Sequence, residues 1–208
     1  MHHMPCVHCA DFPVPSKREI VKDAAMNESV TPPKNIVLIG FMGSGKSTVG
    51  RELHHLLGYP LVDMDQVIEQ RAGKSIPEIF AENGEELFRD METNLLEELT
   101  EPHAPRRIIS TGGGVVGREQ NRKLLRHLGY VVWLNAPLHV ILDRTSRNRD
   151  RPLLHTADPA ARIEALMDAR NPLYQNSAHL KIETAGLDSR ELATGILESA
   201  RYFFTQQP

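Results

Sequence analysis

The chain has little of what marks several large classes of protein. Only two of its 208 residues are cysteine, Cys6 and Cys9, so residues 34–208 hold no thiol and cannot depend on a disulfide. Aromatic residues make up only 5%, and no apolar run is long enough to span a bilayer. The net charge of −3 gives no electrostatic reason to bind nucleic acid. These absences predict a cytoplasmic protein with neither a membrane nor a nucleic acid as partner.

Residues 1–33 differ from the rest of the chain because they are rich in histidine and proline and show little periodicity. We predict a disordered N-terminal extension here, followed by one domain at 34–208. The spacing of Cys6 and Cys9 suits zinc, but no second ligand pair stands at a finger-like distance. The alternatives are a disordered leader, a translation start near Met26, or a metal or nucleic-acid role for the extension.

The segment Gly40–Thr48 reads G-F-M-G-S-G-K-S-T and matches the P-loop pattern G-x-x-x-x-G-K-[ST]. A short apolar run at 35–39 precedes it and predicts a buried strand, while apolar residues at helical spacing follow it up to Gly58. Strand, glycine loop and helix therefore come in the order that phosphate binding needs. A turn that only joined strand to helix would have no use for Lys46 and Ser47 directly after the last glycine.

Glycines let a loop turn tightly and aim its backbone N–H groups at an anion, behind which the helix N-terminus adds partial positive charge. Lys46 supplies a cation for the β- and γ-phosphates, and the Ser47 hydroxyl is a ligand for Mg²⁺. The sequence therefore predicts a bound nucleoside triphosphate. The residues predicted to hold it are Gly43, Ser44, Gly45, Lys46, Ser47 and Thr48.

Beyond the P-loop, strand and helix patterns alternate to the end of the chain, which predicts an α/β fold with a parallel sheet and helices on both faces. Ser75 to Glu78 reads as a capping box that opens a helix, and Asn83-Gly84 reads as its end. A later helix is predicted at about 159–170.

Asp63 and Asp65 follow the second strand, where ligands bind in open α/β sheets. Alternation along an extended chain sends both carboxylates to one side. One can then hold Mg²⁺ while the other accepts a substrate hydroxyl. The alternative is that one of them simply caps the following helix.

Four further features suit a transfer site but also have plain structural readings. Glycines 112–114 follow a strand and allow close approach to backbone N–H groups, or form a flexible turn. Four arginines crowd into residues 144–151 and suit a mobile lid over a phosphoryl-transfer site, or a solvated loop. Arg89 and Glu92, three apart on a helix, suit a substrate site or a surface ion pair. Arg170, at a predicted helix end, suits a cation that binds the substrate or a partner for the helix dipole.

Taken in order, these motifs resemble the shikimate kinases over nearly the whole of 34–208. The resemblance is carried by the following segments: Gly40–Thr48, Asp63–Asp65 with Ile68-Glu69, Ile79-Phe80, Glu86–Arg89, Gly112–Gly114, Arg151–Leu154 and Arg170–Tyr174.

This resemblance implies a three-layer P-loop kinase fold with a five-stranded parallel sheet and a mobile lid at about 145–158. It also implies ATP- and Mg²⁺-dependent phosphorylation of the 3-hydroxyl of shikimate by a monomer, in the route to chorismate and the aromatic amino acids. By family pattern Lys46, Asp65 and Arg151 are catalytic, Ser47 and Asp63 hold the metal, and Arg144 flanks the adenine. The residues implied to bind shikimate are Asp65, Arg89, Gly112, Gly113, Gly114 and Arg170.

Two other functions stay open on the sequence. A kinase for another polyol acid, such as gluconate, shares the P-loop but need not keep the Asp63, Asp65, triple-glycine and Arg89 set together. A nucleotide-gated regulator binds ATP without transferring phosphate and has no need of the acceptor-side residues.

Overall fold

A computed structural model describes residues 35–101, 105–146 and 158–205. The strands are β1 (Asn35–Ile39), β2 (Leu61–Asp63), β3 (Ile108–Ser110), β4 (Gly129–Asn135) and β5 (Leu180–Glu183). The helices in these residues are α1 (Lys46–Leu57), α2 (Met64–Ala72), α3 (Ile76–Leu99), α4 (Glu119–Leu128), α5 (Leu138–Ser146), α6 (Pro159–Ser177) and α7 (Ser189–Thr205).

The five strands form one parallel sheet in the order β2-β3-β1-β4-β5, which confirms the predicted α/β fold. Alternate residues of the central strand β1 supply two cores. Ile36 and Leu38 pack with residues of α1 and α7, whereas Val37 and Ile39 pack with residues of α2 to α6. A strand that is apolar on both faces needs helices on both faces, so the domain formed by the described residues has three layers.

The sheet brings three functional loops to one edge. The P-loop follows β1, Asp63 ends β2, and Gly112 follows β3 after one further residue. Leu38 of β1 and Asp63 of β2 are both register partners of Ser110 in β3, so the three strands end side by side. Carboxyl ends of parallel strands are where such sheets bind ligands.

Most local predictions are confirmed. The capping box at Ser75 and Glu78 opens α3, and Gly84 breaks its helical geometry with φ 82° and ψ 171°, although regular structure resumes at once. The predicted helix end near residue 170 is wrong, because α6 runs to Ser177 with Pro172 inside it. Continuing the helix buries Tyr174 completely, and that burial outweighs the hydrogen bond lost at the proline.

Some predictions lie outside the described residues. These are the N-terminal extension at 1–33, the lid at about 145–158 apart from its ends, and Arg151. Among the helices that the structure does describe, none combines the length and the apolar character that crossing a bilayer requires.

Candidate active site

Glycine geometry shapes the P-loop. Gly45 has φ 99° and ends the loop directly before α1 begins at Lys46. At Gly40, a Cβ atom would stand 2.4 Å from the backbone oxygen of Leu134, so no other residue fits there without a shift of the backbone. The loop therefore lies at a helix N-terminus, where free N–H groups and the helix dipole favour a bound anion.

The Lys46 side chain lies along the inside of the P-loop and is 9% exposed. Its Nζ donates to the backbone oxygens of Gly40 at 2.8 Å and Phe41 at 3.0 Å. These hydrogen bonds hold the ammonium group at the loop, where a phosphate chain would lie.

Ser47 and Asp63 bring two oxygen ligands together. The Ser47 hydroxyl donates to Asp63 Oδ2 at 2.8 Å and joins the first turn of α1 to the end of β2. Mg²⁺ prefers such hard oxygen ligands and takes few of them from the protein when phosphates supply the rest. The two side chains therefore fit the predicted metal site.

Asp65 reaches the same cavity by a different route from the one predicted. The strand ends at Asp63 and α2 begins at Met64, so Asp65 lies in the first turn of a helix and not on an extended chain. Its Oδ1 lies 2.8 Å from the position that a Cβ of Gly112 would occupy. The junction between β2 and α2 thus places Asp63 beside Ser47 and Asp65 beside Gly112.

Charged side chains lie against two of the three glycines at 112–114. A Cβ at Gly112 would lie 2.4 Å from Glu92 Oε1, and one at Gly114 would lie 2.4 Å from the guanidinium of Arg89. Real Cβ contacts essentially never come this close, so a larger residue at either position requires a charged side chain to shift. Charged side chains therefore lie directly on the loop, and all three glycines line the same cavity.

Arg89 and Glu92 form a largely buried ion pair on α3, with Arg89 Nη1 2.6 Å from Glu92 Oε2. Arg89 also donates to Glu85 Oε1 at 2.6 Å, and its side chain is 11% exposed. Burial opposes the charge of Arg89, but Glu92 and then Glu85 outweigh it and raise the pKa of the guanidinium. Burial raises the pKa of the Glu92 carboxyl above its usual range, against the opposing effect of Arg89.

Two more predicted arginines hold backbone oxygens of the site. Arg170 Nη1 donates to the Gly113 oxygen at 3.2 Å, and its guanidinium lies 5.8 Å from the ring centre of Phe41. Arg144 Nη1 donates to the Gly43 oxygen at 2.9 Å. One arginine therefore joins α6 to the triple glycine, and the other joins α5 to the P-loop.

These groups line one cavity of about 1140 Å³. It brings together every predicted site residue in the described part of the chain: Gly43, Ser44, Gly45, Lys46, Ser47, Thr48, Asp63, Asp65, Arg89, Gly112, Gly113, Gly114, Arg144 and Arg170.

Sequence reasoning missed two contributors to this site. The sequence pairs Glu92 with Arg89 but does not indicate that the Glu92 carboxylate also lies over Gly112. Tyr174 was not assigned a role, although its hydroxyl donates to the Gly113 oxygen. Its spacing of four from Arg170 on one helix was the available signal.

Comparisons with known proteins find similar sequences and similar solved structures. The family model described as shikimate kinase matches residues 42–201. The shikimate kinase of Thioalkalivibrio sulfidiphilus (strain HL-EbGR7) is 46% identical over 174 residues, which are 84% of this chain and 89% of that protein.

Among solved structures, a shikimate kinase from Acinetobacter baumannii in complex with shikimate has a TM-score of 0.78 and 41% identity, over 86% of this chain and 97% of that one. A gluconokinase from Sinorhizobium meliloti 1021 has a TM-score of 0.52 and 17% identity, over 85% of this chain and 98% of that one, and this likeness shows the fold alone. On the family model and these identities, the chain belongs to the shikimate kinase family.

Proposed function

We propose that this protein transfers the γ-phosphoryl group of ATP to the 3-hydroxyl of shikimate, giving shikimate 3-phosphate and ADP, in the route to chorismate and the aromatic amino acids. One observation carries the proposal: a single cavity is lined both by the P-loop and by the cluster of Asp65, Arg89 and Arg170. A regulator that only bound ATP would need the first set and not the second.

The P-loop is the donor half of the proposed site. Backbone N–H groups from Gly43 to Thr48 surround the phosphates, and Lys46 leaves its backbone acceptors to follow the charge on the transferred group. Arg144 flanks the adenine. Arg151 is proposed as the lid arginine that stabilises negative charge as the group is transferred.

Ser47 and Asp63 would hold Mg²⁺, Ser47 directly and Asp63 in the outer shell. When bound, the ion neutralises charge on the phosphates and orients them for transfer. The protein residues supply its position, because the hydrogen bond between them fixes the hydroxyl at the end of β2.

The acceptor half needs cations, since shikimate carries a carboxylate. Arg89 and Arg170 offer guanidinium groups whose planar forks match a carboxylate bidentately. Asp65 orients the attacking hydroxyl and accepts its proton. Gly112 to Gly114 leave room for these side chains to meet at the substrate.

An assay of ADP release with Mg²⁺-ATP tests the proposal, using shikimate and gluconate as alternative acceptors. We expect turnover that depends on shikimate and none that depends on gluconate. Lys46→Met should abolish turnover by removing the cation at the β- and γ-phosphates. Absence of shikimate-dependent turnover in the unaltered protein would refute the proposed function. We further propose that the enzyme acts as a monomer in the cytoplasm, and sedimentation of the purified protein checks the first point.

A further inference from the structure

Tyr174 lies beneath the acceptor half of the site and is fully buried, at 0% exposure. It stands on α6 four residues after Arg170, so the two side chains share one face of that helix. Its hydroxyl donates to the backbone oxygen of Gly113.

The Gly113 oxygen therefore accepts two hydrogen bonds, one from Tyr174 and one from Arg170 Nη1 at 3.2 Å. A carbonyl oxygen has two lone pairs, so both are used. The two donors differ in burial, because the phenol lies in the core while the guanidinium lies at the cavity and can turn towards a ligand there.

We propose that Tyr174 is a positioning residue for the substrate carboxylate: it keeps the Gly113 carbonyl hydrogen-bonded when Arg170 turns its guanidinium from that carbonyl to the carboxylate. The inference rests on the proposed function, since it takes Arg170 as a carboxylate ligand.

The reason is a difference between the free and the bound state. In the free protein either donor satisfies the Gly113 oxygen. Once Arg170 moves to the substrate, only Tyr174 remains among the described residues that bond to it. Without the Tyr174 hydroxyl, the Gly113 oxygen would lose the last of these donors when substrate binds. The unsatisfied oxygen would then weaken substrate binding.

Two contacts keep Tyr174 suited to this role. Its ring stacks on Trp133, with 5.7 Å between ring centres and 26° between planes, so the phenol is held from β4. Burial raises the pKa of Tyr174, although Arg170 opposes the shift, so the hydroxyl stays protonated and remains a donor at neutral pH.

A trans peptide plane fixed at the Gly113 oxygen also fixes the direction of the Gly114 N–H.

The test compares Tyr174→Phe with Tyr130→Phe. Both changes remove one hydroxyl from a buried tyrosine, but the Tyr130 hydroxyl lies 2.7 Å from Ser199 Oγ, outside the cavity. For Tyr174→Phe we expect the KM for shikimate, and the Kd for shikimate alone by calorimetry, to rise about tenfold, which is about 1.4 kcal/mol. The KM for ATP and kcat should stay within about twofold. Tyr130→Phe should change none of these values.

A second pair of variants separates positioning from general loss of structure. In an Arg170→Ala background the Gly113 oxygen has the same donors with and without substrate. Adding Tyr174→Phe there should leave the remaining kcat/KM for shikimate unchanged. The inference is overturned if Tyr174→Phe alone leaves shikimate affinity intact, if it weakens ATP equally, or if it costs as much in the Arg170→Ala background. Failure of the unaltered protein to phosphorylate shikimate would count against the proposed function instead.

Discussion

Glu92 accepts a hydrogen bond from Arg89 across one turn of α3, with 2.6 Å between Oε2 and Nη1, and its other oxygen lies over the Gly112 backbone. Glu92 is 0% exposed, so its charge has little water to stabilise it. Breaking such a buried pair is costly even where the pair adds little net stability. The arrangement fixes the direction of the Arg89 guanidinium before any substrate binds.

Glu92→Gln should therefore weaken shikimate binding while leaving ATP binding nearly intact. The amide keeps the shape of the side chain but removes the charge that holds Arg89, so we expect the KM for shikimate to rise roughly tenfold. Glu85→Gln is the matched control, because Glu85 also bonds to Arg89 but is 47% exposed, and its loss should cost less than about twofold. Steady-state kinetics for both substrates checks this, and an equal rise in the KM for ATP would contradict it.

The same carboxyl should give stability a specific pH dependence. An unfolded glutamate titrates near about pH 4.3, whereas burial raises the pKa of Glu92 in the folded protein. Between the unfolded and the folded pKa of Glu92, the folded state holds the proton more tightly than the unfolded state. The contribution of Glu92 to the free energy of unfolding is therefore full at low pH and is lost as pH rises through the folded pKa. We expect the free energy of unfolding of Glu92→Gln, taken relative to that of the unaltered protein, to increase from pH 4.5 to pH 7.5 in urea unfolding. Glu85→Gln should show no such trend, and a gain that shrinks with pH would refute the assignment.

Gly112→Ala should damage the acceptor half alone. The new methyl group would overlap Glu92 Oε1 and press on Asp65 Oδ1, so both carboxylates must move. Displacement of a positioned group by about 1 Å can cost about 100-fold in rate, and we expect a loss of that order in kcat/KM for shikimate. Gly117→Ala is the control, since a Cβ there meets no atom within 4 Å. Nucleotide affinity, measured by calorimetry, should be unchanged in both variants; normal turnover by Gly112→Ala would rule out the packing described.

We expect the folded protein to lose stability in mild acid because of His179. The Val131 N–H donates to its Nδ1 at 2.9 Å, so this nitrogen must be unprotonated. Burial, and then the charge of Arg126, lower the pKa of His179 below its ordinary value of about 6.5. The unfolded chain therefore binds a proton that the folded chain resists, and the free energy of unfolding falls as pH drops below about 6.5.

His179→Asn should flatten this dependence, because the amide oxygen accepts the same N–H without titrating. Urea unfolding at pH 7.5 and 5.5 measures the slope for each protein. His127→Asn serves as the control, since His127 is exposed on α4. If the two variants show the same slope as the unaltered protein, His179 has no part in its acid sensitivity.

Sequence reasoning performs best where local chemistry decides the structure. The P-loop at Gly40–Thr48 is set by glycine conformation and a helix N-terminus, both of which are written in consecutive residues. The core pattern of β1 likewise follows from four apolar residues in a row, Ile36 to Ile39, each fully buried. These features need no information about distant parts of the chain.

What the sequence hides is contact over long separations. That Glu92 lies over Gly112 depends on how α3 packs beside β3, and no local pattern reports it. The extension of α6 past Pro172 was missed for the same reason: burial of Tyr174 against Trp133 outweighs the local preference of proline to end a helix. Asp65 lies in the cavity, as predicted, but on a helix and not on an extended strand. Asp63 is the N-cap residue of α2, yet its carboxylate accepts from Ser47 and makes no capping hydrogen bond, so the local sequence did not decide where the helix begins.

The strand order has a consequence for how the chain folds. The neighbours of β1 in the sheet are β3 and β4, whose partner residues lie about 70 to 95 positions later. During synthesis β1 therefore has no sheet partner until Ser110 has been added, and its second neighbour is complete only with Asn135. Pairing of such distant segments is slow because loop closure comes before any compensating contact. The strand that supports the phosphate loop is thus the first of the five strands to be made and waits longest for its neighbours, which leaves its apolar residues exposed to aggregation while the protein is being produced.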